Sequence, residues 1–152
     1  MATHYDTISF ELFDAYAGGE RWAEEYEAPL LTVKIFINGQ ELNALFVAFE
    51  DHYENLEHDN PNEVYGHLEP FFLLRCLTSE YAETYGASLN CCSDCACEGC
   101  WEVRVHISET DDEVIWHDFE HEHRHYPYNW QFRFKKEEYE KQIKLLESWA
   151  DK

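Results

Sequence analysis

The stretch from Cys91 to Trp101, Cys-Cys-Ser-Asp-Cys-Ala-Cys-Glu-Gly-Cys-Trp, gathers five of the chain's six cysteines. It contains two Cys-x-x-Cys pairs, Cys92 with Cys95 and Cys97 with Cys100. Thiolates at that spacing can share one tetrahedral zinc at about 2.3 Å per bond. Cys92, Cys95, Cys97 and Cys100 are therefore the first candidate metal ligands, and zinc, as a structural clip, is the candidate cofactor. Structural sites usually draw their pairs from two separated segments. A less crowded alternative takes two or three of these sulfurs and completes the tetrahedron with His106, His117, His121, His123 or Cys76. Two other readings of the same thiols stay open. They are small apolar groups that fill a crowded turn, or they form a redox dithiol. A redox pair wants a helix N-terminus to depress one thiol's pKa, and a strand pattern follows instead. An open coordination position would make the cluster the centre of a zinc-dependent enzyme or of a metal or redox sensor.

Charge sets the second constraint. The 152 residues carry a formal net charge of −21, a field that repels nucleic acid and anionic membranes and steers basic proteins toward the chain. Residues 1–70 hold 15 acidic side chains against only Arg21 and Lys34, while residues 135–152 hold five of each sign. The acidity is concentrated toward the N-terminus. Within it, the polar stretch 50–64 reads as an exposed acidic loop ending near Pro61. Glu50, Asp51, Glu54, Glu57, Asp59 and Glu63 are the candidate contacts for a basic protein partner such as a nuclease, in the manner of an inhibitor or immunity protein. The competing reading of the same charge is solubility. Aromatic residues make up 16% of the chain, which excludes disorder despite the acidity, and the length suits one domain with one core. No charged, apolar leader and no run of about 20 apolar residues is present. A cytoplasmic protein with reduced thiols is expected.

Alternation at Ile8, Phe10 and Leu12 predicts a strand over 5–13. The acidic run from Glu20 to Glu27 allows a short helix that places Trp22 and Tyr26 on one face. Leu30 to Ile37, ending at Asn38-Gly39, predicts a strand entering a type I′ hairpin. Leu42 to Phe49 is the natural returning strand, with Asn43-Ala44-Leu45 leaving a helix open. After Pro70, the spacing of Leu74, Leu77, Tyr81 and Tyr85 predicts a core-facing helix that stops at Gly86 and buries Cys76. Trp101, Val103, Val105 and Ile107 alternate as a strand. A second strand follows, with Val114, Trp116 and Asp118 on one face opposite Ile115, His117 and Phe119, and the two form an antiparallel hairpin. Asn129 to Phe134 gives a further strand. Lys136 to Trp149 closes the chain as a helix with Tyr139, Ile143, Leu146 and Ala150 on its core face. The sum is α+β, an antiparallel sheet covered by helices that include a C-terminal one.

Histidines recur through His117-Asp-Phe-Glu-His121-Glu-His123-Arg-His125. In an extended chain His117, His121, His123 and His125 project to one side, as a metal-binding array or as a solvated rim that titrates near pH 6.5. No residue is assigned a catalytic role.

Cys95, Gly99-Cys100-Trp101, Val114-Ile-Trp116-His-Asp-Phe119, His123-Arg124, Phe132-Arg-Phe134 and Tyr139 together resemble a small bacterial domain family to which no activity attaches. Its pattern is a cysteine cluster ending in Gly-Cys-Trp, a strand, Val-x-Trp-x-x-Phe, a His-Arg pair, Phe-x-Phe and a terminal helix. The resemblance covers roughly the last 60 residues. Ser93 stands where the family has a further cysteine, and Cys92 and Cys97 are additional. The resemblance implies a bacterial protein.

Overall fold

A computed structural model describes residues 4–18, 20, 23, 29–93 and 101–151. Cys95, Cys97 and Cys100 lie outside them, as do Trp22, Tyr26 and most of the helix expected over 20–27. The architecture is α+β, with antiparallel pairing divided among three sheets. Strands β1 (Ile8–Asp14), β2 (Leu31–Ile37) and β3 (Gln40–Glu41) form the first sheet, in which Ile8 stands opposite Ile37 and Phe10 opposite Ile35. The β2–β3 turn is the Asn38-Gly39 pair, both residues at positive φ, 52° and 81°. An asparagine and a glycine tolerate that conformation, so the hairpin signal is borne out.

The returning strand is only two residues long. Helix α1 (Leu42–Glu54) replaces the rest of it. Leu42, Asn43, Phe46, Val47 and Glu50 are its buried residues, a three-to-four spacing that serves a helix and would split between the two faces of a strand. The acidic loop expected from residue 50 therefore begins inside a helix, and Glu50 is a core group with 5% exposure. A 3-10 turn over Pro61–Glu63 leads into β4 (Tyr65–Gly66), which pairs with β6 (Cys91–Cys92) as the second sheet.

Helix α2 (Pro70–Leu77) is shorter than its periodicity predicts. The Thr78 hydroxyl turns back onto the Leu74 carbonyl, and the Ser79 hydroxyl accepts the Tyr81 N–H. These local bonds compete with the helical ladder and end it. Tyr81 and Tyr85 stay exposed, at 57% and 66%, while Leu73 and Leu77 enter the core. Cys76 packs against the core and is only partly buried.

The third sheet runs β5 (Ala87–Ser88), β7 (Val103–Glu109), β8 (Glu113–His121) and β9 (Phe132–Lys135). The β7–β8 hairpin forms as predicted, but Asp118 sits at φ 52° and adds a residue to the alternation. Val114 and Trp116 point inward before it, and Phe119 and His121 point inward after it. The expected face of Val114, Trp116 and Asp118 is corrected accordingly. Helix α3 (Lys136–Ala150) packs against α2 and β1, burying Tyr139 and Leu146, with Ile143 partly covered. Backbone bonds from Asp6 to Arg133 and from Val33 to Leu68 tie the sheets to one another. No helix among the described residues is long and apolar enough to cross a membrane.

Phe46 is the point where these layers meet. Its ring stands 6.2 Å from Tyr65, 5.9 Å from Phe119, 5.8 Å from Tyr128 and 5.6 Å from Trp130. Phe46→Ala is expected to cost about 3–5 kcal/mol of stability, whereas Tyr85→Ala, on the surface, changes it by less than about 1 kcal/mol. Urea denaturation of both variants measures the contrast.

Candidate functional site: an acidic pocket beside the cysteine strand

The C-terminal turns of α1 bring Glu50, Asp51 and Glu54 to one hollow of about 360 Å³. Glu63 at the end of the 3-10 turn and Val64 after it line it from one side, Cys92 and Ser93 from another, and Trp101 and Tyr126 supply aromatic walls. Cys92 arrives there because it pairs with Tyr65 across the second sheet. Ser93 is anchored by donating to the Glu63 carbonyl at 2.7 Å. Four of the six predicted acidic contacts therefore converge. Glu57 and Asp59 sit on the exposed segment beside it, where His58 is held by Asp51 through ring and backbone bonds of 2.7 and 2.8 Å.

Glu50 forms the floor. Tyr65 donates its hydroxyl to the Glu50 carboxylate at 2.7 Å, and Tyr128 donates to Oε2 at 2.6 Å. Burial pushes the Glu50 carboxyl up to about 7; the tyrosine bonds pull the other way, and the charges of Asp51 and Glu54 add to the rise. Burial and the Glu50 charge push both Tyr65 and Tyr128 far up, so the two phenols remain protonated donors. A carboxyl that titrates near neutrality, at the base of a hollow rimmed by further acidic side chains, can hold a cation or exchange a proton with one.

His121 stands behind the Trp101 wall, 7% exposed, its ring 4.3 Å from Trp101 and 5.4 Å from Tyr126. Its Nδ1 accepts the His123 backbone N–H at 3.0 Å, while Nε2 is buried without a partner among the described residues. Burial, then Arg124 and His123, lower its pKa to about 4, so the imidazole is neutral. The Arg124 guanidinium lies 5.0 Å over the Trp101 ring.

The expected histidine array does not form. The Asp118 bulge leaves His117 on the outer face of the sheet and turns His121 inward, and β8 ends there, before His123 and His125. His106 stands directly opposite His117 on that outer face, away from the pocket. Among the described residues, no three His, Cys, Asp or Glu side chains are placed to hold a metal ion.

A second buried constellation was not foreseen from the sequence. His67, 2% exposed, lies between Glu20 and Glu41, with Nδ1 2.6 Å from Glu20 and Nε2 2.7 Å from Glu41. Burial opposes its charge, but the two carboxylates outweigh burial and raise its pKa. It clasps Glu20 to Glu41, the residue that precedes α1. Tyr126 and Tyr128 were missed too, although a signal existed: Tyr126, Tyr128, Trp130, Phe132 and Phe134 alternate without a break. Neighbouring rings in this ladder lie 5.6 to 6.5 Å apart.

Other hollows carry less. One of about 400 Å³ between the turn after α2 and α3 is bordered by Glu80, Glu83, Glu109 and Glu140, all exposed, with no buried carboxylate. Comparison with family models, curated proteins and solved structures finds no match to this chain.

Glu50 fixes the pH behaviour of the site. Its folded pKa is above its unfolded value, so its contribution to stability is fully present below about pH 4.5 and is lost as pH rises to about 7. Relative to wild type, Glu50→Gln is expected to gain roughly 3 kcal/mol between pH 4 and pH 8. The contributions of His67 and His121 cancel in that difference, which paired denaturation curves measure.

Proposed function

We propose that the chain is an acidic protein-binding module whose pocket seats a lysine or arginine side chain of a basic protein partner. Inhibition of a nuclease or a comparable basic toxin, as an inhibitor or immunity protein, is the form this takes. The observation that carries the reading is the convergence of Glu50, Asp51, Glu54 and Glu63 on one hollow with Trp101 and Tyr126 on its walls. Carboxylates combined with aromatic faces are the chemistry that recognises an organic cation. Glu57 and Asp59 extend the negative rim, and the overall charge of −21 raises the encounter rate with a basic surface. The same charge opposes direct binding to nucleic acid or anionic membranes. The bacterial cytoplasm is the compartment that suits the reading, since its reducing poise leaves the thiols open.

A second reading rests on the cysteine spacing. The two Cys-x-x-Cys pairs, followed by Trp101, support a structural zinc clip. Cys92, Cys95, Cys97 and Cys100 would complete a tetrahedron, whereas His121, whose Nδ1 accepts the His123 N–H, carries its hydrogen on Nε2 and offers no lone pair there. The clip is compatible with the binding role, because Cys92 borders the same pocket.

Binding to a panel of basic nucleases, measured at low and high salt, tests the first reading. A bound partner is expected to lose at least tenfold in affinity, and much of its salt sensitivity, on combined Asp51→Asn, Glu54→Gln and Glu63→Gln substitution. No salt-sensitive binding by any member would remove the reading's support. For the clip, Cys95→Ser with Cys100→Ser should release about one zinc per chain by elemental analysis, and an unchanged metal content would overturn it.

A further inference from the structure

The floor of the acidic hollow holds a carboxyl with acceptor capacity left over. Glu50 is 5% exposed and lines the hollow from α1. A carboxylate offers about four acceptor positions. Among the described residues, two hydroxyls reach this one. Tyr65 lies 2.7 Å from both oxygens and can donate to only one at a time, and Tyr128 donates to Oε2 at 2.6 Å. Oε1 thus shares one hydrogen with Oε2 and keeps room for a further donor.

The charges around it have the wrong sign to supply that donor. Asp51 and Glu54 flank Glu50 on its own helix, and Glu63 faces the hollow from the 3-10 turn. Tyr126 bonds to Glu54, Cys92 comes from β6, and His58 is turned onto Asp51 with a ring nitrogen at 2.7 Å. The Arg124 guanidinium lies over the Trp101 ring at 5.0 Å. Burial, the two phenols, Asp51 and Glu54 are what act on the Glu50 carboxyl, and no cation is among them. A buried carboxylate in that setting is neutralised in one of two ways: it takes a proton, or it takes a cation from outside.

We infer that the hollow exchanges one for the other. An ammonium or guanidinium group that enters donates an N–H to Glu50 Oε1, the O–H bond of the carboxylic acid breaks, and its proton leaves to solvent. One positive charge enters and one departs. The inference rests on the reading of the hollow as the seat of a basic side chain, and it adds pH as the control of that seat. Because burial brings the Glu50 carboxyl up to about 7, the exchange falls in the neutral range. The floor is mostly acid at about pH 6 and mostly carboxylate at about pH 8, so affinity for a cation is expected to rise about tenfold between them and to level off above.

The test is a carboxyl ¹³C titration of the full chain by NMR, alone, with n-butylammonium chloride, which is the lysine side chain in isolation, and with sodium chloride at the same concentration. The Trp101 indole shift gives the butylammonium dissociation constant at each pH. At about ten times the constant measured above about pH 8, the Glu50 midpoint should fall by about one pH unit relative to the sodium control. The affinity read at Trp101 should rise about tenfold from about pH 6 to about pH 8 in wild type, a rise that Glu50→Gln should lose. Tyr128→Phe, which removes a donor to the carboxylate, should move the midpoint up and carry the levelling-off with it. A response at Trp101 and Glu54 with the Glu50 midpoint unmoved, or a rise that survives Glu50→Gln, would overturn the exchange and leave the cation seat standing. No response beyond the sodium control at any of these groups would remove the seat and the exchange together.

Discussion

The Glu50 carboxylate, buried between the hydroxyls of Tyr65 and Tyr128, joins parts of the chain that hydrogen-bonded strands do not connect. Glu50 comes from the helix that follows the first sheet, Tyr65 from the second sheet, and Tyr128 from the aromatic ladder that runs into the third. Taking a carboxylate out of water costs several kcal/mol unless donors compensate it. The two phenols offset part of that cost, and only when all three segments are in place. Phe46, one turn earlier on the same face of α1, packs among Tyr65, Tyr128, Phe119 and Trp130. The polar triad is thus walled by rings on its inner side and borders the acidic hollow on the other.

His67 solves a related problem with the opposite charge. Two carboxylates favour the charged form of the imidazole against burial, and one of them, Glu20, keeps an oxygen without a partner among the described residues. Both clusters use longer-range polar contacts where the chain has short strands. A two-residue pairing such as β4 with β6 closes few backbone bonds, and its alignment depends on side chains around it, including Ser93 on Glu63 and Cys91 on the His67 carbonyl.

The sequence was informative where periodicity and turn chemistry act alone. The Asn38-Gly39 turn, the β7–β8 hairpin and the C-terminal helix follow from residues a few positions apart. Leu42–Glu54 was ambiguous because Leu42, Phe46 and Phe49 suit a helix while Gln40–Glu41 still pair as strand. Its resolution as a helix is what moved Glu50 from a solvated loop into the interior. The acidic pocket was legible in part: the clustering of Glu50, Asp51, Glu54 and Glu63 was visible, but its aromatic wall was not, since Trp101 and Tyr126 reach it from distant positions. Buried His67 was illegible for the same reason, its partners lying 47 and 26 residues away.

Asp118 gives a single strand two allegiances. In an unbroken strand, residues four apart share a side, and His117 and His121 would have met the same surroundings. One left-handed residue between them divides the strand into halves of opposite parity, the first showing its imidazole to the open sheet surface and the second to the aromatic interior. The same residue's carboxylate also fixes the tautomer of His117. Local backbone handedness and the tautomer of a neighbouring ring therefore both depend on one residue, so a substitution that preserved the charge but not the turn, or the turn but not the charge, would separate two properties that the chain inherits together.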